Sequence, residues 1–107
     1  MMKRLAIYVL SPTLFCCAVA ADDNPRFVDS GQRIGNSQSF AVALGDFNGD
    51  GHLDCWVAND DQPNRVWFNE GDGTFIDSGQ ELGERNSRCV VLGDVDGDGD
   101  LDAVVGN

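Results

Sequence analysis

Two ten-residue stretches crowd oxygen-bearing side chains in the same order: GDFNGDGHLD at 45–54 and GDVDGDGDLD at 93–102. With the first Asp counted as position 1, positions 1, 3, 5 and 9 are Asp46, Asn48, Asp50 and Asp54 in one stretch. In the other they are Asp94, Asp96, Asp98 and Asp102. Alternate side chains of a tight loop turn inward, so several oxygens converge on one point. Glycines at positions 4 and 6 (Gly49 and Gly51; Gly97 and Gly99) permit the positive φ that such a wrap requires. Position 7, His52 or Asp100, is expected to offer its backbone carbonyl with its side chain directed outward. A hard cation that takes about six to eight oxygen ligands suits this donor set, and Ca2+ is the expected ion. Without a cation, each like-charged pair at about 4 Å costs about 4 kcal/mol at an effective dielectric near 20. Calcium binding is therefore expected to be largely folding free energy for each loop.

Competing chemistries fit less well. An EF-hand loop shares the opening D-x-[DN]-x-[DN]-G but requires a bidentate Glu at its twelfth position, where this chain has Val57 and Val105. Zinc prefers nitrogen and sulfur, and the loops offer at most one imidazole. Magnesium takes fewer protein oxygens and keeps its waters. A dockerin-like module also pairs two calcium loops, but its loops carry an acid at position 12 and lead into helices. A plain Asp-Gly turn that binds nothing accounts for one such loop, not for two with identical spacing.

The elements around the loops repeat as well. Shifted by 48, Phe27–Asn59 aligns with Phe75–Asn107 without a gap, and 18 of the 33 pairs are identical. The chain therefore reuses one unit, with a first unit at 27–74 and a truncated second at 75–107. Within a unit, FAVALG (40–45) precedes the acidic loop and LDCWVA (53–58) follows it, its residues alternating between two faces. NDDQPN (59–64) reads as a turn. RVWFN (65–69) has the aromatic and β-branched bias of a strand. EGDG (70–73) is a second turn and TFID (74–77) a fourth strand. No window sustains a helical period. Four short strands in such a unit match one propeller blade, so the expected fold is all-β, with less than two blades in this chain. Either the chain is a piece of a longer protein or it self-associates to complete the blades. The first is preferred, because Phe27–Asp29 resembles the last strand of a preceding blade.

The amino terminus places Lys3-Arg4 before an apolar run from Leu5 to Ala20 and then small residues, the layout of a signal peptide over 1–21. The run is short for a membrane span and contains Pro12, so no membrane insertion is expected after cleavage. All 18 acidic residues follow residue 21, and with Lys3 and Arg4 removed only five arginines balance them. Such a surface repels nucleic acid and attracts cations. A secreted or extracytoplasmic location, in the periplasm or at the cell surface, follows. Cys55 and Cys89 come from non-equivalent places in the repeat, and two buried thiols are preferred to a disulfide.

VALGDFNGDGHLDCWVAND (42–60) and VVLGDVDGDGDLDAVVGN (90–107) closely resemble FG-GAP repeats of the integrin-α and VCBS type, and PNRVWFNEGDGTF (63–75) is similar to the stretch that follows in bacterial members. The resemblance implies a β-propeller with calcium in the loops between the first two strands of a blade. Asp46, Asn48, Asp50 and Asp54 match the ligand positions, as do Asp94, Asp96, Asp98 and Asp102. It implies a scaffold that binds proteins or glycans, as in adhesion. Trp56, Trp67 and Phe68 offer a stacking surface for sugars, although a place between blades is the preferred reading. An enzyme is not expected: His52 is the only His, and no Ser or Cys has a base within reach of a sequence argument. The alternative is the non-catalytic propeller portion of a larger secreted enzyme.

Overall fold

A computed structural model describes residues 4–9, 26–84 and 86–107. Most of the signal segment expected at 1–21 lies outside the described residues. The chain divides into two compact units, residues 1–36 and 37–107. In the first unit, β1 (Arg4–Val9) pairs in parallel with β2 (Arg26–Arg33). The stretch Phe27–Asp29 lies in β2.

The second unit is all-β, with no helix among the described residues. Strands β3 (Ser39–Gly45), β4 (Asp54–Asn59), β5 (Asn64–Asn69) and β6 (Phe75–Leu82) form one antiparallel sheet in sequence order. Strands β7 (Cys89–Gly93) and β8 (Asp102–Gly106) form an antiparallel pair equivalent to β3 and β4. This is one four-stranded propeller blade and the first two strands of another. Sequence repeat and sheet are out of phase: the repeat read as 27–74 ends before β6, while the sheet runs from β3 through β6.

β6 extends five residues past TFID because it bulges rather than stops. Gly79 has φ +77°, its N–H donates to Asp77 Oδ1 at 2.8 Å, and the β5–β6 register shifts between Arg65 and Trp67. The strand absorbs one local turn and continues.

Pleating sorts the side chains. β4 and β5 are the inner strands, and Cys55, Val57 and Ala58 of β4 are buried together with Val66 of β5. Val42, Val57 and Arg65 lie across from one another on one face, and Ala43, Trp56 and Val66 on the other. The second face meets the next sheet, for Trp56 and Val105 line a common groove with Ser87 and Asn107. A side chain at Gly45 would begin 2.8 Å from Leu101 Cδ1 and 3.0 Å from Leu92 Cδ1, so the two sheets meet closely there and a larger residue would push the leucine ends aside. Trp56 thus sits between sheets, as preferred from sequence, whereas Trp67 shares the opposite face with Cys55.

Buried polar groups tie the strand ends. Asn59 is 1% exposed. Its Oδ1 accepts from Ser39 Oγ at 2.9 Å, its Nδ2 donates to Pro63 O at 2.9 Å, and its carbonyl accepts from Ser87 N at 3.0 Å. The Ser39–Asn59 bond recurs 48 residues later, from Ser87 Oγ to Asn107 Oδ1 at 3.3 Å. Such fully satisfied networks rigidify the strand ends and specify one register.

Cys55 and Cys89 are free. Burial pushes the Cys55 thiol up to about 12, which leaves it unreactive. The expectation of two buried thiols holds for Cys55 and is corrected for Cys89, which is exposed. Cys89 is the counterpart of Ala41, but β7 presents that face outward, beside the exposed Val91.

Candidate metal centre

Each acidic loop joins the first two strands of a sheet, 46–53 between β3 and β4 and 94–101 between β7 and β8. The two loops are wired alike. At position 1, Asp46 accepts N–H bonds from Gly49 at 2.8 Å, Asp50 at 3.2 Å and Gly51 at 2.9 Å. Asp94 accepts from Gly97 at 2.7 Å, Asp98 at 3.1 Å and Gly99 at 2.8 Å. At position 3, Asn48 and Asp96 accept from the position-5 N–H, each at 3.1 Å. At position 5, Asp50 and Asp98 accept from the N–H of His52 and Asp100, each at 2.9 Å. At position 9, Asp54 and Asp102 accept from Phe47 N and Val95 N, each at 2.9 Å. The glycines at position 6 reach φ +86° and +94°, which turn their N–H groups back toward position 1.

The backbone N–H groups therefore aim these side chains. One oxygen each of Asp94, Asp96 and Asp102 lies within 4.8 Å of the other two. The same positions in the first loop are Asp46, Asn48 and Asp54, where one of the three oxygens belongs to an amide. Asp98 and Asp100 stand outside the triple: Asp98 caps the following turn and Asp100 is exposed. Asp50 holds the equivalent cap in the first loop.

Position 1 carries the clearest electrostatic signature. The N–H of Gly51 does most to hold Asp46 below the usual carboxylate range, and the N–H of Gly99 does the same for Asp94. Further amides at positions 4 and 5 add to the shift, and partial desolvation opposes it. Because the folded value is depressed, this contribution to the loop is present above the unfolded value near 3.8 and is lost as pH falls through the folded one. Both carboxylates are thus charged throughout the neutral range.

The cluster offers oxygen alone, mostly anionic, and mostly from exposed side chains. That chemistry fits a hard divalent cation. Oxygens this near one another share a centre at bond lengths of about 2.3–2.6 Å after at most a few tenths of an ångström of closure.

His52 is exposed, but its side chain is not free of the fold. An added Cβ at Gly71, in the β5–β6 turn, would lie 2.7 Å from His52 Nε2. Gly71 also has φ +96°. Gly71→Ala is therefore expected to cost about 1–3 kcal/mol from backbone conformation alone, read as a lower midpoint in thermal unfolding. His52→Ala added to it should recover only the steric part.

The sequence reading missed Asn69, the last residue of β5. Its N–H donates to Asp54 Oδ1 at 2.9 Å and its Nδ2 to Leu53 O at 3.0 Å. A signal was present: an Asn two and four residues ahead of Gly71 and Gly73 is a turn-capping pattern. Asn69 Oδ1 indeed accepts from both glycine N–H groups, at 2.9 and 3.1 Å.

A family model described as FG-GAP-like repeat matches residues 46–105, which spans both acidic loops. No curated protein and no solved structure matches the chain.

Proposed function

The chain belongs to the FG-GAP-like repeat family, and from that premise we propose that it is a secreted, calcium-stabilised propeller repeat that presents a surface to protein or glycan ligands and does no catalysis. The observation that carries this reading is the convergence of Asp94, Asp96 and Asp102, set by loop wiring that recurs bond for bond 48 residues earlier.

In this reading Asp46, Asn48, Asp50 and Asp54 hold one ion, and Asp94, Asp96, Asp98 and Asp102 the other. Asp50 and Asp98 also shape the turns that follow. Bound calcium supplies the positive charge that offsets the repulsion among these carboxylates. The residues do the rest: position 1 gathers the loop amides, and position 9 anchors the loop to the second strand. Ion binding thereby stiffens one end of each sheet. Affinities of about 10⁻⁴–10⁻³ M, typical of extracellular modules, suit an extracytoplasmic location, where calcium is abundant.

Calcium titration by calorimetry tests this. The unsubstituted chain should bind two ions, and Asp46→Ala or Asp94→Ala only one each. Heats in the unsubstituted chain no larger than dilution would end the reading.

A further inference from the structure

We propose that Asn69 is a positioning residue for the first metal loop, coupling that ion site to the β5–β6 hairpin; the inference rests on the calcium reading above. Asp54 stands apart from Asp102 in one respect. Both accept a loop amide through Oδ2, from Phe47 and Val95 respectively. Asp54 also accepts through Oδ1 from Asn69 N, a residue 15 positions away on another strand. Among the described residues Asp102 has only the Val95 bond, and it is half-buried, whereas Asp54 is fully buried.

Three successive residues at the exit of the first loop, His52 to Asp54, meet the hairpin. Asp54 takes the Asn69 N–H, the Leu53 carbonyl takes Asn69 Nδ2 at 3.0 Å, and the His52 ring abuts Gly71. The same Asn69 side chain builds the turn, because its Oδ1 accepts from Gly71 N and Gly73 N. One side chain therefore links the hairpin turn to the exit of the acidic loop. The carboxylate of Asp54 is held by its two N–H donors in one orientation. Groups that orient a metal ligand from behind typically change affinity about 10–100-fold when removed.

Calcium titration of the full chain, followed by NMR at the Gly51 and Gly99 amides, reports each loop separately. Asn69→Ala keeps the N–H that holds Asp54 but removes the side-chain bonds to Leu53 O, Gly71 N and Gly73 N that hold that N–H in place; it should raise the Gly51 midpoint about tenfold and leave the Gly99 midpoint unchanged. Asp72→Ala is the control: it removes the 2.8 Å bond to Thr74 N in the same turn without touching the loop, and should leave both midpoints unchanged. Linkage is reciprocal, so in the unsubstituted chain calcium should slow hydrogen exchange at the Asn69, Gly71 and Gly73 amides. That measurement decides the matter even if Asn69→Ala fails to fold. The inference is overturned if Gly51 and Gly99 shift together in Asn69→Ala, if Gly51 does not shift, if Asp72→Ala reproduces the effect, or if calcium leaves Asn69 exchange unchanged. Absence of any calcium response at both glycines in the unsubstituted chain removes the calcium reading itself, and this inference with it.

Discussion

Asp54→Ala is expected to destabilise the first sheet by about 2–6 kcal/mol, even in the presence of chelator. Asp54 is fully buried, and its two oxygens hold Phe47 N and Asn69 N, both at 2.9 Å. Alanine strands both donors; each N–H left without a partner costs about 1–3 kcal/mol when buried, and these part-buried ones fall toward the lower end. Small domains have about 5–15 kcal/mol in total, so the loss is a large share. Asp54→Asn keeps one acceptor and should cost roughly half as much. Asp102→Ala frees a single N–H beside a half-buried carboxylate, and should cost least of the three. Urea unfolding of the variants in chelator gives the ranking. Equal midpoints for Asp54→Ala and Asp102→Ala would show that the Asn69 bond contributes nothing.

Calcium should raise the thermal midpoint of the unsubstituted chain by about 10 °C or more. At about 10 mM calcium and affinities of about 10⁻⁴–10⁻³ M, each occupied loop adds about 1.4–2.7 kcal/mol by mass action. Two loops add about 3–5 kcal/mol, and a small domain shifts by about 4–8 °C per kcal/mol. Asp94→Ala should halve the gain by silencing one loop. The comparison is a thermal scan followed by circular dichroism, with calcium against chelator. A midpoint that ignores the chelator would show that the loops cohere without an ion, through their amide bonds alone.

Much of this was legible residue by residue. The alternation of Asp94, Asp96 and Asp98 with glycines at 97 and 99 predicts inward side chains and a tight wrap, and the bonds to Gly97, Asp98 and Gly99 show both. The strands flanking the loops were readable from two-residue periodicity, which places Cys55 and Val57 on one face and Trp56 on the other. Position 5 has a second role that spacing does not show: Asp98, grouped by spacing with the ligands, also caps the following turn, its Oδ1 accepting from the N–H two residues on. Cys89 was misjudged: its neighbours on the strand are apolar, but the direction in which β7 turns that face depends on which sheet lies beside it.

The sequence by itself determined the repeat, the strand-loop-strand unit and the two oxygen-rich loops. Each of these rests on interactions between residues two to seven apart, which φ, ψ and residue type control directly. Only the tertiary structure decided that the sheet runs from β3 through β6, that Trp56 lies between sheets, and that Asn69 reaches Asp54. Those depend on which strands pair and in what register, and no short window of the chain encodes a bond made across 15 residues.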